Sequence, residues 1–451
     1  MNLQRARQMA PAAACLTIAA YVTLLATIRG PRFAGDTVAM TQSAQALVNC
    51  ARSGQFHGCP GTNQYGVLQN LPALFLAWKG LPLESIVSFL GFLNIAAFVA
   101  LVVILWRVLT KRVRMLGVAL VLGGPIVGYV SLTFGEVLQT LVFVVFVIAL
   151  AQRRWALIVV SGILAASTRE TAFLPLALIS AGMIWKLFAS DPDSRRKGIL
   201  SSLAGIGGGV ILITAFNMWK FGTWKNLGNL NSLYVTPGLL RKIDSAVAIW
   251  LGPGGGVTPF WFVGTCLSLG ALLVVLIRGD RHSRVGALFL LLSLISATAS
   301  LAMWFAPFGW VAWGPRLMIP TVAAVCIANL LTFEKEILQV QRWTAFSTNL
   351  VGLLLALISA GSAIASYGYL NQPGVIDRFF APDKVCPRVA IIQEDPGYYF
   401  HCLHYGAWKL HPSLWSTGLD GVTRWQVVVV LLLAVFLWSA IIAALGTVSY
   451  T

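Results

Sequence analysis

The sequence predicts an all-α, polytopic transmembrane helix bundle of about 12 spans, with a range of 10–13. Three observations carry that expectation. Of 451 residues, 58% are hydrophobic. Charged residues make up only 10%, against about 25% in an ordinary soluble domain. Lys and Arg also concentrate in short tracts between apolar runs, such as Lys111-Arg112-Val113-Arg114 and Arg195-Arg196-Lys197. A mean hydropathy of +0.80 excludes a soluble enzyme, a disordered chain and a small disulfide scaffold. The net charge of +17 points to orientation in a membrane and to anionic lipid headgroups rather than to nucleic acid.

A helix needs roughly 20 apolar residues to cross the hydrocarbon core. Hydropathy places spans near 9–28, 85–105, 115–130, 138–151, 156–168, 171–185, 199–217, 257–277, 285–304, 319–333, 344–367 and 425–447. The shorter runs, 138–151 and 156–168, are expected to be tilted, broken or re-entrant. Residues 9–28 have the look of a signal-peptide core. No small-residue cleavage site follows cleanly, so they read as a retained first span with the amino end in the cytoplasm. The segments 1–8, 106–114, 152–155, 186–198, 278–284 and 334–343 hold 17 of the 32 Lys and Arg residues. The positive-inside rule puts them in the cytoplasm, along with both termini. The layout is then a core at 1–367 with outer loops 29–66 and 218–256, an extracytoplasmic loop at 368–424, and a last span with a cytoplasmic tail at 425–451. No internal repeat is visible.

Cysteines agree with an oxidising outer side. Cys50 and Cys59 share the first outer loop, and Cys386 and Cys402 share the last. Local bridges within each pair are preferred, although spacing alone leaves the connectivity open. Cys15, Cys266 and Cys326 fall in spans and read as small apolar residues. In the last loop His401 and His404 lack a matching second pair of ligands, so no metal site is read there. The glycines of Gly205-Ile206-Gly207-Gly208-Gly209 read as close helix packing.

Charges at a membrane boundary are functional candidates by default. Asp36, in Phe33-Ala34-Gly35-Asp36, reads either as a helix N-cap or as a general base for an acceptor hydroxyl. Glu136 and Glu170 read as helix caps or as members of a site. Arg169 and Glu170 are chain neighbours and point about 100° apart on a helix, so each needs another partner. Arg316, in Trp313-Gly314-Pro315-Arg316, offers a planar fork suited to phosphate or carboxylate, and Trp313 belongs to an interfacial aromatic belt or to a site. Acids that could act as a base, beside arginines that could hold a phosphate, fit transfer from a lipid-linked phosphate donor.

The order of these blocks resembles the GT-C superfamily of integral-membrane glycosyltransferases, the group containing protein mannosyltransferases and lipid A aminoarabinose transferases. Gly35-Asp36 resembles its first-loop acidic motif. Gly135-Glu136-Val137-Leu138 and Ala166-Ser167-Thr168-Arg169-Glu170-Thr171 resemble its span-end motifs. Asn217-Met218-Trp219-Lys220-Phe221-Gly222-Thr223 resembles the segment that opens an outer loop. Leu251-Gly252-Pro253-Gly254-Gly255-Gly256 resembles a glycine-rich turn, with glycine replacing a serine. The set covers roughly 30–320. The resemblance implies a polyprenyl-phosphate sugar donor, a cell-envelope lipid, glycan or protein acceptor, and inverting transfer outside a bacterial plasma (inner) membrane. It implies Asp36 as base and Arg316 with Arg169 as the phosphate holders, supported by Glu136, Glu170 and Trp313. Some members use a divalent cation and others none. The rival classes are a transporter or flippase, which would place charges near the bilayer midplane in repeated halves, and a non-catalytic assembly subunit.

Overall fold

The computed structural model describes residues 35–59, 65–110, 113–130, 135–226, 238–251, 256–304 and 315–337, with a few positions between 19 and 27. Every described element is helical. In chain order the principal helices are α1 (Gly35–Arg52), α2 (Val67–Trp78), α3 (Leu83–Val108), α4 (Arg114–Leu122), α5 (Glu136–Ala151) and α6 (Trp155–Ala166). They continue with α7 (Phe173–Leu187), α8 (Pro192–Phe221), α9 (Leu239–Leu251), α10 (Ala271–Arg278), α11 (Arg281–Ala302) and α12 (Ile319–Thr332). Among the described residues α3, α8 and α11 are long and apolar enough to cross a membrane. The expected spans near 9–28, 344–367 and 425–447, and the loop 368–424, fall wholly or largely outside the described residues.

Two expected spans are broken, and each break has a local cause. The run 115–130 ends as a helix at Leu122, because Gly123-Gly124-Pro125 supplies two poor helix formers and a residue without an N–H. One short turn, Ile126–Tyr129, follows. The run 257–277 is interrupted at Trp261 and again by a π-helical turn, Cys266–Gly270. The fully buried Trp261 indole lies against Gly124 and Gly264, and its N–H donates to the Leu120 carbonyl at 2.9 Å. At the π turn the Asn329 amide from α12 donates to the Leu267 carbonyl at 2.8 Å, which ties this irregular backbone to the neighbouring helix. Irregular backbone is thus kept inside protein, as a low-dielectric setting requires. Another helix, α2, stands at 67–78, where the span reading places nothing. Its twelve residues are too few to register as a crossing.

Burial sorts the helices. Nearly every side chain of α5 and α12 is buried, and the two pack against one another at the centre. A helix apolar on all sides belongs there. By contrast α8 exposes Leu200, Leu203 and Ile211 on one side. Its other side carries Gly198, Ser202, Gly205 and Gly209 at helical spacing, with Gly205 and Gly209 pressed against α6 and Gly198 against the end of α7. A Cβ on Gly205 would stand 2.9 Å from the Ile158 carbonyl oxygen, and one on Gly209 would stand 2.6 Å from the Ala166 Cβ. The expected close packing through these glycines is present; Gly207 has open space beside it.

The lysine- and arginine-rich segments meet at one end of the bundle. Lys186 pairs with Asp280 at 3.3 Å and Glu336 at 3.5 Å. The Thr110 hydroxyl donates to Glu334 at 2.9 Å, and Arg153 pairs with Asp191 at 2.8 Å. At the other end the Cys50–Cys59 disulfide ties α1 to its following loop, across a Cα–Cα distance of 6.0 Å. That loop is stitched to the ends of α6 and α8. The Val67 N–H donates to the Ser167 carbonyl at 2.9 Å, and the Cys59 N–H to the Trp219 carbonyl at 3.2 Å.

Candidate functional site

The site lies at the disulfide end, where the two central helices begin. Glu136 is the first residue of α5, and Arg316 opens the short 3₁₀ turn Arg316–Met318 that leads into α12. Because α5 and α12 run side by side from this end, residues 180 positions apart meet. The Arg316 Nε donates to Glu136 Oε1 at 2.6 Å. Arg169, in the turn between α6 and α7, donates from Nη2 to the same oxygen at 3.2 Å. Glu136 is 1% exposed and Arg316 5%. Charges that far from water persist only when paired and hydrogen-bonded. The second carboxylate oxygen, Oε2, is buried and has no hydrogen-bond partner.

Sequence reasoning offered Glu136 and Glu170 as helix caps, and the structure corrects both. The N-cap of α5 is Gly135 and that of α7 is Ala172, with no side-chain cap bond at either. Glu136 spends its carboxylate on the arginines. Glu170 points to α8 instead: its Oε1 accepts from Asn217 Nδ2 and from Asn226 Nδ2, each at 3.0 Å. The expectation that neighbouring Arg169 and Glu170 find separate partners holds.

Around Glu170 a second polar cluster joins the first loop to the end of α8. The Lys220 ammonium, 1% exposed, donates to the Tyr65 carbonyl at 2.8 Å and lies 4.9 Å from the Phe216 ring centroid and 4.8 Å from that of Phe221. This is the Asn217–Gly222 segment singled out in the sequence. Gly222 ends α8 at φ 69°, a left-handed conformation that suits glycine, and the His57 ring fills the space where a side chain would stand.

Asp36 falls in the first turn of α1, after Gly35; its side chain lies outside the described residues, as do Trp313, Cys386 and Cys402. Sequence reasoning missed Gln69 and Gln139. The Gln69 side chain packs on Gly135, and Gln139 lies one turn into α5; both are buried. A glutamine inside the apolar run 136–151 was itself a signal, since a polar side chain among spanning residues is expensive. Next to Arg169 a small cleft opens between α5, the turn joining α6 to α7, α11 and the start of α12, with Gln139, Phe143, Leu301 and Leu317 in its wall.

Among the described residues no group of three or more His, Cys, Asp or Glu side chains could hold a metal. The two guanidinium groups on Glu136 also repel a divalent cation, so these residues do not fit one.

No family model and no curated protein matches the chain. Among solved structures it is similar to ArnT from Cupriavidus metallidurans in the apo state. That likeness covers 89% of this chain and 76% of that one, at 11% identity and a TM-score of 0.44.

Proposed function

We propose that the chain transfers a sugar from a polyprenyl-phosphate donor to a hydroxyl of a cell-envelope acceptor at the extracytoplasmic membrane face, with inversion. The observation that supports this most is the ion cluster. One buried carboxylate orients two guanidinium groups at the end of the central helices, and such planar forks are suited to phosphate oxygens. An anion is the ligand such a cluster favours. The ordered set of GT-C-like motifs names the kind of anion.

In this reading Arg316 and Arg169 hold the donor phosphate, and Glu136 fixes both guanidinium groups. Glu170 supports the site from the turn between α6 and α7, and Trp313 is assigned a supporting role by its motif. The acceptor oxygen attacks the anomeric carbon from the face opposite the phosphate. The carbon–oxygen bond to the phosphate breaks, and its electron pair stays on the phosphate, where the arginine charges stabilise it. The acceptor proton passes to Asp36, the general base. No step runs through a metal. Transport is the weaker reading, since the buried ion pair sits at helix ends rather than along helix middles.

The test is incubation of the purified chain with labelled polyprenyl-phosphate sugars and detection of labelled acceptor. Wild type is expected to transfer label. Asp36→Asn keeps the size and polarity of the side chain in the first turn of α1 but cannot take a proton. It is expected to lose roughly 10²–10⁴ in turnover with donor binding kept. Arg316→Lys keeps the charge, loses the fork, and is expected to lose donor binding. Near-normal turnover in Asp36→Asn removes Asp36 from the base role.

A further inference from the structure

A surface helix in water ordinarily turns its apolar stripe to the core and its polar residues outward. The helix α9 does the reverse. Leu239, Leu240, Ile243, Val247 and Leu251 point away from the protein, with exposures from 42% at Val247 to 82% at Leu240. Intervals of three and four residues put them on one side. The opposite side packs inward through Ser245, Ala248 and Ile249, all buried. The Trp250 indole N–H donates to the Thr298 hydroxyl of α11 at 2.9 Å and fixes which way the stripe faces. Thr298 lies about one turn from Ala302, the end of α11 away from the Lys186–Asp280 pair. The sequence assigns 218–256, and α9 with it, to an outer loop, where water is the expected neighbour. Five adjacent apolar side chains facing water are unfavourable.

We infer that α9 is embedded in the outer leaflet of the bilayer, with its apolar stripe among acyl chains. Lipid is the occupant its surroundings favour. The helix rests on α11, a candidate span whose own Leu288, Leu292 and Ile295 are exposed on one side. A surface suited to acyl chains therefore runs up to α9. Thirteen residues make about 20 Å of helix, too short to cross but long enough to lie about 5–10 Å deep at the boundary. Lys242 and Asp244, both half-buried, flank the stripe at the level of headgroups. A second copy of the chain fits less well, since five side chains fall short of the roughly 20–30 residues a side of a stable protein interface. The inference stands apart from the sugar-transfer reading.

The test uses the full chain in liposomes, with a nitroxide on Leu240→Cys, Ile243→Cys or Val247→Cys, one at a time, and on Gln55→Cys in the exposed disulfide loop as reference. Wild type labelled in parallel gives the background of native thiols. Collisions with oxygen are expected to exceed those with a water-soluble nickel chelate severalfold at 240, 243 and 247, with the reverse at 55. Chelate access at the three positions equal to that at 55 overturns the inference, because the stripe then faces water. So does a label shielded from both reagents, which assigns the stripe to another segment of this chain. Spin–spin broadening that disappears on dilution with unlabelled chain also overturns it and names a second copy. The three positions are exposed, so if one variant fails to insert, the remaining two decide.

Discussion

Glu136 decides whether two arginines are assets or liabilities. Each guanidinium contacts the same oxygen, and two of the three side chains are almost wholly out of water. Removing one partner of a buried pair leaves charge that neither solvent nor protein neutralises. Glu136→Ala is therefore expected to cost about 3–5 kcal/mol for a fully buried pair, and nearer the lower figure here because Arg169 can turn toward solvent. Thermal unfolding of the purified protein in detergent measures it; a loss below about 1 kcal/mol would show that the cluster carries little weight. Glu136 was legible in the sequence as a boundary acid. Its partners were not, since Arg169 and Arg316 stand 33 and 180 positions away.

At the scale of elements, the contact between α6 and α8 shows how a composition signal becomes geometry. Glycine in a helix costs roughly 0.5–1 kcal/mol relative to alanine, so its repetition on one face needs a return from packing. Gly205 and Gly209 have that return in the close approach of α6, and Gly207 does not. Gly209→Leu is expected to destabilise by about 1–3 kcal/mol or more through overpacking, while Gly207→Ala is expected to be neutral or slightly stabilising. Matched unfolding curves of the two variants decide it, and equal losses would contradict the assigned faces. The broken segments teach the complementary lesson. Hydropathy reads 115–130 and 257–277 as continuous spans because the residues are apolar. It is Gly124 meeting Trp261, and Asn329 donating to the Leu267 carbonyl, that ties the interruptions into the core.

For the molecule as a whole, the ion pairs at one end and the disulfide at the other define two ends that a membrane would separate. Single cysteines at Lys197, in the basic segment, and at Gln55, in the disulfide loop, are both on exposed positions. They are expected to react with an impermeant thiol reagent from opposite sides of sealed vesicles, and labelling of both from one side would overturn the topology. The basic end also carries a pH-dependent cap. Asp280 accepts the Ser283 backbone N–H at 2.6 Å, the largest cause of a pKa lowered from 3.8 to about 2, with Lys186 assisting. A depressed carboxyl pKa means stability that is present above about pH 4 and fades as pH falls toward 2. Wild type is expected to exceed Asp280→Ala by about 1 kcal/mol at pH 6. The gap should shrink only below pH 4, and a gap that closes between pH 7 and 5 would point to another group.

Sequence alone determined that this chain is helical and apolar, which segments share the charged end, and which boundary residues are chemically able; it favoured a local partner for Cys50, and the structure supplies it in Cys59. These follow from composition, periodicity and nearest-neighbour spacing, which a linear string records. Tertiary structure decided what the string cannot hold. Glu136 faces arginines instead of capping a helix, because two central helices begin at the same end. Glu170 turns to Asn217 and Asn226 because α8 ends beside it. Gln139 lacks an acceptor for its amide because burial strips it of water without supplying one. Burial and long-range pairing set the energetics of each polar group, and both are properties of packing rather than of order along the chain.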